Sequence, residues 1–585
     1  MGNFNLYQVN NKGNKKYNKS DKVFDKVLSS SLILNEIFQF LDREDYKYLS
    51  LSNKKIYQIF CNQITKLKIC IVKDEIIERI LDKYINITLL DLTTYTDIKD
   101  FTFISKFNKL EIISIHDTNI LNISFIEKNK NIRELSFSKC EAITNYTPIS
   151  KLEKLEILSI NDANISDISF LEKIKDIKKL SLNNCYSIKD FTALSKLNNL
   201  EILDVSQTHF SDISLLENNK NIRELNLHMC NDIKDFSPIS RLEKLEILDT
   251  SQIFWISDIS YLEKNINIKE LNLYGEYNRV LEIKDFSPIS NLEALETLKI
   301  GCTNVYDISF LDKNKNIKKL YLNGDLYHIM SIRDYEIISN FQNLEILDCS
   351  HTNIPNIRFI EKNKNIRELY LENCKYFRDF MPILNLEKLE VLNVSSTNIS
   401  DISFLENNLN IKKLNLGWCF KVKNFTPISK LKKLEVLNVE NTYISDISFL
   451  ENNGNIRKID LNNSTDIKDF SFISKLKKLE ILKAGFLDIS DISFIKNCIT
   501  IRELYLQSCN NIEDFTIISK LEKLEILDIS NTDISDISFL VYNKQLKELF
   551  LLGCHKIFYC PLISLLEERY YVKIHLLINL EEFKY

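Results

Sequence analysis

The chain contains seven histidines, thirteen cysteines and 81 acidic residues, the side chains from which metal sites, nucleophiles and general acids are built. None falls into a spacing that such chemistry needs. There is no His-x-x-x-His pair to turn two imidazoles toward one metal, and no Cys-x-x-Cys to begin a zinc site. Nine glycines, never grouped, exclude a loop whose backbone N–H groups cradle a phosphate. Aspartates and glutamates return at fixed intervals instead of converging in pairs, and no nucleophile–base set stands out. The expectation is a protein that holds rather than converts: no enzyme, no metal, no cofactor.

The elements that position these side chains come from one pattern. In Leu200–Lys244 the sequence Leu-x-x-Leu-x-Leu-x-x-(Thr/Cys) occurs twice, led by Leu200 and by Ile222. Units of the first kind, A, are led by ten leucines from Leu110 to Leu524, and units of the second kind, B, by Ile87 and ten residues from Ile132 to Leu546. A to B spans 22 residues, 23 once from Leu245, and B to A usually 23. Self-similarity at this period is the leucine-rich-repeat signature, in which each rung is a short strand plus a return segment stacked on its neighbours. The expected fold is an α/β solenoid. It would be a horseshoe of about 21–22 rungs with a parallel concave sheet, preceded by a small helical lobe. Short returns (Ser-Asp-Ile-Ser in A, Pro-Ile-Ser in B) suit turns and single 3₁₀ turns better than long helices.

Within a rung, positions 1, 4 and 6 fill the interior, where full burial of one such side chain is worth ~1.5–3 kcal/mol. Position 9 is Thr in seven A rungs and Cys in seven B rungs (Cys140, Cys185, Cys230, Cys374, Cys419, Cys509, Cys554). A hydroxyl there can bond the backbone, a thiol only weakly. Successive B thiols stand two strand spacings apart, roughly 9–10 Å, beyond the ~7 Å Cα separation a disulfide tolerates. They read as buried thiols in a reducing compartment, cytoplasm or nucleus. Position 2 is Glu in all ten A rungs and Arg or Lys in the B rungs from Arg133 onward. Adjacent strands therefore alternate in sign, which fixes register.

Four segments follow: 1–21, a disordered polar tail; 22–62, a helical lobe; 63–554, the solenoid; 555–585, a C-terminal cap. Ile64-x-x-Leu67-x-Ile69 already fits a rung, and Arg569-x-x-Val572-x-Ile574 reads as a last, imperfect strand. The N-terminal stretch has no hydrophobic core of a signal peptide. Leu6, where Ser or Thr is needed, argues against myristoylation of Gly2. No apolar run reaches the ~20 residues of a membrane span. Sequons such as Asn164 and Asn398 follow from an Asn-rich repeat. A net charge of −5 over 585 residues gives no reason to expect nucleic acid or an anionic membrane as partner.

Binding surface is the remaining resource. Strand positions 3, 5, 7 and 8 are expected on the concave face. Tyr321, Tyr370, Tyr505 and Phe550 stand at position 5 and Trp418 at position 8, as anchors for a protein partner. The B-to-A spacing stretches to 27 residues after Ile268 and again after Ile317, and Ile253–Trp255 carries one further inserted residue. Insertions in repeats map to loops on one face, often the binding face. Phe254, Trp255, Tyr277, Arg279, Tyr327 and His328 are thus expected in one protruding patch, against the alternative of tolerated loop drift.

The rungs resemble cytosolic leucine-rich repeats of the cysteine-containing kind, mixed with the Ile-Ser-Asp-Ile turns of internalin-like repeats. The stretch Leu32–Phe60 resembles an F-box through Leu34, Glu36, Ile37, Phe38, Leu41, Asp45, Tyr46, Leu49 and Asn53, although Ile33-Leu34-Asn35 replaces the usual Leu-Pro opening. The Ile/Asn/Lys-heavy composition resembles proteins of AT-rich genomes, including F-box and repeat families of giant amoebal viruses. The resemblance implies a substrate-recruiting subunit of a cullin–RING ubiquitin ligase. A Skp-type adaptor would bind Leu34, Ile37, Phe38, Leu41, Asp45, Tyr46 and Leu49, and a host-cytoplasm location would follow if the chain is viral. The alternative is a repeat scaffold or regulator with no ubiquitin link. A secreted adhesin conflicts with the unpaired cysteines.

Overall fold

The computed structural model describes residues 66–69, 86–93, 101–275, 279–557, 563, 566 and 572–575. The tail 1–21, the F-box-like segment 22–62 with all its adaptor-facing residues, Tyr277, and most of 555–585 lie outside the described residues.

Two compact units divide the chain, Met1–Phe210 and Ser211–Tyr585. The first contains strands β1 (Lys66–Ile69) to β7 (Ile202–Asp204), the second β8 (Glu224–Asn226) to β23 (Lys573–His575), one strand per rung. Within each unit every strand pairs in parallel with the next, as in Leu298↔Leu320 and Leu320↔Leu347, so the position-4 leucines stack in register. The solenoid expected from the leucine spacing is the architecture formed, and β1 and β23 coincide with the two imperfect rungs at its ends. Most strands are only three residues long, positions 3 to 5, with the middle residue buried and its neighbours facing outward. The returns are single 3₁₀ turns such as Ser237–Arg241 and Ser260–Lys264. No complete α-helix occurs among the described residues, so the helical part of the expected α/β class is filled by 3₁₀ turns. The reason is length: a rung of 22 or 23 residues leaves too few for an α-helix on its outer side.

Each turn is started by a side chain. Asp235 Oδ1 accepts the Ser237 N–H at 2.8 Å and Asp258 Oδ1 that of Ser260 at 2.8 Å, an Asx turn that preorganises the bend. Proline fits early in the B turns (Pro238, Pro288, Pro382, Pro427), where its missing N–H costs nothing. Behind the turns, B and A aromatics stack in pairs, including Phe286–Phe310 at 5.5 Å and Tyr335–Phe359 at 5.7 Å.

An asparagine closes eight of the ten A returns, with Ile174 and Cys498 at that place in the other two. Asn408 Nδ2 donates to Ile383 O and Leu386 O of the preceding rung, both at 3.0 Å, and is fully buried. Asn129, Asn265, Asn314, Asn363, Asn453 and Asn543 repeat the arrangement. Cys498 stands in for it once, its thiol donating to Ile473 O at 3.3 Å. Beyond the strand the chain leaves through a left-handed residue. Every described non-glycine residue with positive φ occupies position 8, from Asp117 (+53°) to Asn531 (+53°). The two rungs that carry insertions differ: Gly275 and Gly324 stand there without positive φ. A Cβ at either would collide with a carbonyl, that of Cys302 or of His328.

Charge at position 2 forms triads rather than a uniform ladder. Glu156 takes Arg133 at 2.8 Å and Lys178 at 2.7 Å, and Glu390 takes Arg367 at 3.2 Å and Lys412 at 2.6 Å. Glu246 and Glu525 are held in the same way. Exposed pairs of this kind contribute ~0–1 kcal/mol each, so they set register more than stability.

Asn408→Ala should lower stability by about 1–3 kcal/mol, because it strands two buried carbonyls. Asn408→Asp should cost more, since it turns a carboxylate toward those oxygens; urea unfolding followed by circular dichroism measures both. Acid should also unfold the stack. The backbone N–H two residues on, and then its hydroxyl, hold Asp190, Asp235 and Asp258 below the usual carboxylate range. Hydrogen bonds from lysine do the same for Glu156, Glu246, Glu390 and Glu525. Groups depressed in the folded state stabilise it above their unfolded pKa, and that stability is lost as pH falls through the folded value. Burial pushes Asp348 and Asp460 the other way, a smaller opposing set. The urea midpoint should therefore fall steadily as the pH drops below about 5, with little change between pH 6 and 7.

Candidate interaction surface

The side chains that leave a strand outward at position 5 form a row along each unit. In the second unit the aromatics of this row are half-buried and satisfied within the protein. Lys299 Nζ lies 5.5 Å from the centre of the Tyr321 ring. The Tyr370 hydroxyl donates to Glu368 at 2.7 Å. Tyr505 donates to Glu503 at 3.0 Å and lies under Lys483 at 5.7 Å. Phe550 stacks on His575 with centroids 4.1 Å apart. Burial, followed by the neighbouring glutamate, pushes the Tyr505 hydroxyl up to about 12. The row expected to expose aromatic anchors is instead a closed layer of neighbours packed over one another, because flanking strands bring long side chains within reach at every rung.

Exposed aromatics concentrate past the strand ends. Trp418, at the left-handed position 8 with φ +61°, is 46% exposed. Its ring meets Phe420 edge-on at 6.0 Å, and Phe420 meets Tyr443 of the next rung at 5.8 Å. Phe420 and Tyr443 are themselves 47% and 62% exposed, so three rings form one uncovered apolar patch. A bulky residue at positive φ is uncommon, and here the strained backbone turns the indole outward. Tyr376 and Phe486 are exposed on nearby rungs of the same unit. Sequence reasoning placed Trp418 on the strand face and missed Phe420 and Tyr443. The signal was their place at position 10, just beyond the buried thiol or threonine.

The inserted residues build two further features. Arg279 stacks on both Phe254 (5.0 Å) and Trp255 (5.1 Å), and Lys234 approaches Trp255 at 5.4 Å. Beside this stack lies an open groove of about 390 Å³ lined by Lys234, Ser237, Trp255, Ser257 and Glu263. After the second insertion the buried Asp325 carboxylate accepts the N–H groups of Tyr327 (2.7 Å) and His328 (2.8 Å), and the His328 ring approaches it at 3.4 Å. That clamp leaves Leu326 and Tyr327 at a tip, 75% and 71% exposed. Both insertions rejoin the ladder through isolated parallel bridges, Leu281↔Thr303 and Met330↔Thr352. The structure thus brings Phe254, Trp255 and Arg279 together, and sets Tyr327 and His328 on a separate tip one rung pair further on. Tyr274 links the two, its hydroxyl accepting from Asn323 Nδ2 at 2.8 Å.

The thiols are structural. Cys419 donates to Val394 O at 3.1 Å, the carbonyl that Thr397 also reaches at 2.7 Å. Cys374 and Thr352 share Cys349 O, and Cys554 and Thr532 share Ile529 O. The thiol was expected to bond the backbone weakly, yet it supplies the link between rungs. Burial pushes Cys185, Cys374 and Cys498 up to about 11, so the reactive thiolate is suppressed. Among the described residues no group of three His, Cys, Asp or Glu side chains could hold a metal ion, and no helix is long and apolar enough to cross a membrane.

No family model and no curated protein matches the chain. Solved structures similar to it include an internalin (InlF) of Listeria monocytogenes, 23% identical with a TM-score of 0.37, covering 61% of this chain and 88% of its own. A leucine-rich-repeat protein of Leptospira interrogans is 17% identical with a TM-score of 0.40, covering 79% and 99%. The plant peptide hormone receptor RGFR1, solved with RGF2, is 16% identical with a TM-score of 0.45, covering 85% and 92%. At these identities the likeness is one of fold.

All ten cysteines among the described residues are buried, and none is in a disulfide. In native buffer Ellman's reagent should therefore react with at most the other three, Cys61, Cys70 and Cys560. All thirteen should react in guanidinium. Fast native labelling of more than three would contradict this packing.

Proposed function

We propose that this chain is a non-catalytic protein-interaction module that holds a polypeptide target on the rim past its strand ends. The observation that carries the reading is the uncovered ring cluster Trp418–Phe420–Tyr443, set against a strand face whose aromatics are already engaged. Exposed aromatics on a rigid support are the side chains that dominate protein interfaces, since they bury large area at little entropic cost. The solenoid supplies that rigidity, because buried neighbours flank each ring in the chain: Leu416 and Cys419 beside Trp418, Cys419 and Val422 beside Phe420, Thr442 and Ile444 beside Tyr443.

Within this reading, the F-box likeness of Leu32–Phe60 supports a recruiting role: the N-terminal segment docks a Skp-type adaptor through Leu34, Ile37, Phe38, Leu41, Asp45, Tyr46 and Leu49, and the rim presents the target. The buried, disulfide-free thiols support a cytoplasmic or nuclear setting, the host cytoplasm if the gene is viral. A scaffold without a ubiquitin link remains the second reading, favoured by a rim that needs no adaptor to bind.

Two pull-downs separate these readings. Trp418→Ser/Phe420→Ser/Tyr443→Ser should keep the circular dichroism of the wild type and lose target capture at least tenfold; unchanged capture removes the rim reading. Ile37→Asp/Leu41→Asp should lose the Skp-type adaptor while keeping the target. Equal adaptor recovery by both proteins, or none by either, would leave only the scaffold.

A further inference from the structure

Ten arginines lie among the described residues. Six of them (Arg133, Arg223, Arg241, Arg367, Arg457, Arg502) are paired with a glutamate. Arg279 and Arg333 pair with no carboxylate among the described residues. Each lies instead on aromatic rings: Arg279 on the half-buried Phe254 and the exposed Trp255, and Arg333 on the exposed Tyr306 at 5.5 Å. Among the described residues Arg358 and Arg378 meet neither a ring nor a carboxylate. Stacking fixes the plane of a guanidinium and lowers the entropy its long side chain must lose, while leaving the in-plane N–H fork open to accept a bidentate oxyanion. Both stacks accompany rungs lengthened by insertion on the same unit, Arg279 within the inserted residues and Arg333 just past them, where Lys284 stands one rung pair earlier.

We infer that Arg279 and Arg333 form a two-point receptor for carboxylates of an extended acidic polypeptide. The two stacks belong to successive rung pairs and stand on the order of 10 Å apart along the sheet. An extended chain advances about 3.3 Å per residue, so acidic side chains three residues apart match that spacing. Leu326 and Tyr327, held outward by the Asp325 clamp on the same rung as Arg333, offer further apolar contact. The charge of the surroundings selects this partner over a nucleic acid. Asp235, Asp258, Asp285, Asp307 and Asp334 are exposed along the same stretch, each accepting a backbone N–H. They repel a continuous polyphosphate but leave room for single carboxylates aimed at the two forks.

This inference rests on the holding role proposed above, and its test uses a separate readout. A fluorescein-labelled peptide with a Glu-Leu-Ala-Glu core between Gly-Ser flanks is titrated with the full chain by anisotropy, beside its Gln-Leu-Ala-Gln counterpart and a labelled oligo-dT. The glutamate peptide should bind, and the glutamine peptide and oligo-dT should not. Arg279→Lys and Arg333→Lys keep the charge and lose the fork; each should weaken binding at least tenfold. Native circular dichroism and protected thiols verify folding. Equal binding of the two peptides, tighter binding of oligo-dT, no binding at all, or lysine variants that bind like the wild type would each overturn the receptor. If it falls while the Trp418/Phe420/Tyr443 variant still loses its target, the holding role stands without it.

Discussion

The constraint that governs this structure is the supply of partners for buried backbone polar groups. A three-residue strand satisfies few of them, and the remaining nineteen or twenty residues of a rung form no α-helix that could satisfy the rest internally. Orphaned buried carbonyls and amides are too costly to leave unpaired. Side chains therefore complete the accounting at fixed places: asparagine amides reach back to the preceding return, a carboxylate or amide oxygen of aspartate or asparagine opens the 3₁₀ turns, and in several rungs a threonine and the next rung's thiol converge on one carbonyl. The leucines provide the driving force for stacking, while these polar side chains determine that it can happen only in one geometry.

Much of this was legible in the sequence, because it is written at a fixed period. The leucine spacing gave the strands, the ends of the ladder and the shortness of the returns. Alternating glutamate and cation gave the register, although the pairing into triads depended on side-chain reach and could not be read from spacing. The asparagine that closes most A returns is equally periodic, yet its role appears only once two carbonyls of the neighbouring rung are seen to face it. Position 8 was misplaced for a similar reason. Seven of its seventeen non-glycine residues are Asn or Asp, which favour the left-handed region, but Gln, Met, Ser, Trp and Phe in the other rungs mask that signal, and there the packing of adjacent rungs imposes the turn.

The misreading of the strand face follows from the same logic. Tyr321, Tyr370 and Tyr505 looked like free anchors because a single strand exposes them, but a parallel stack gives each ring two neighbours about 5 Å away. Trp418, Phe420 and Tyr443 escape this because the chain has already turned away from the sheet. Insertion lengths mark the bulge where Phe254, Trp255 and Arg279 stack on one another, because extra residues have nowhere to go but outward.

The alternation of A and B rungs has a consequence for how such a chain can change length. A threonine and the next rung's cysteine share a carbonyl at Cys349, Val394 and Ile529, and acid at one position 2 faces base at the next, so the heritable unit is the doublet of about 45 residues. Deleting or duplicating a single rung would set two alike faces against each other and leave a seam of mismatched bonds. Replication slippage over a whole doublet would restore every junction, so gene copies of different lengths should differ by even numbers of rungs.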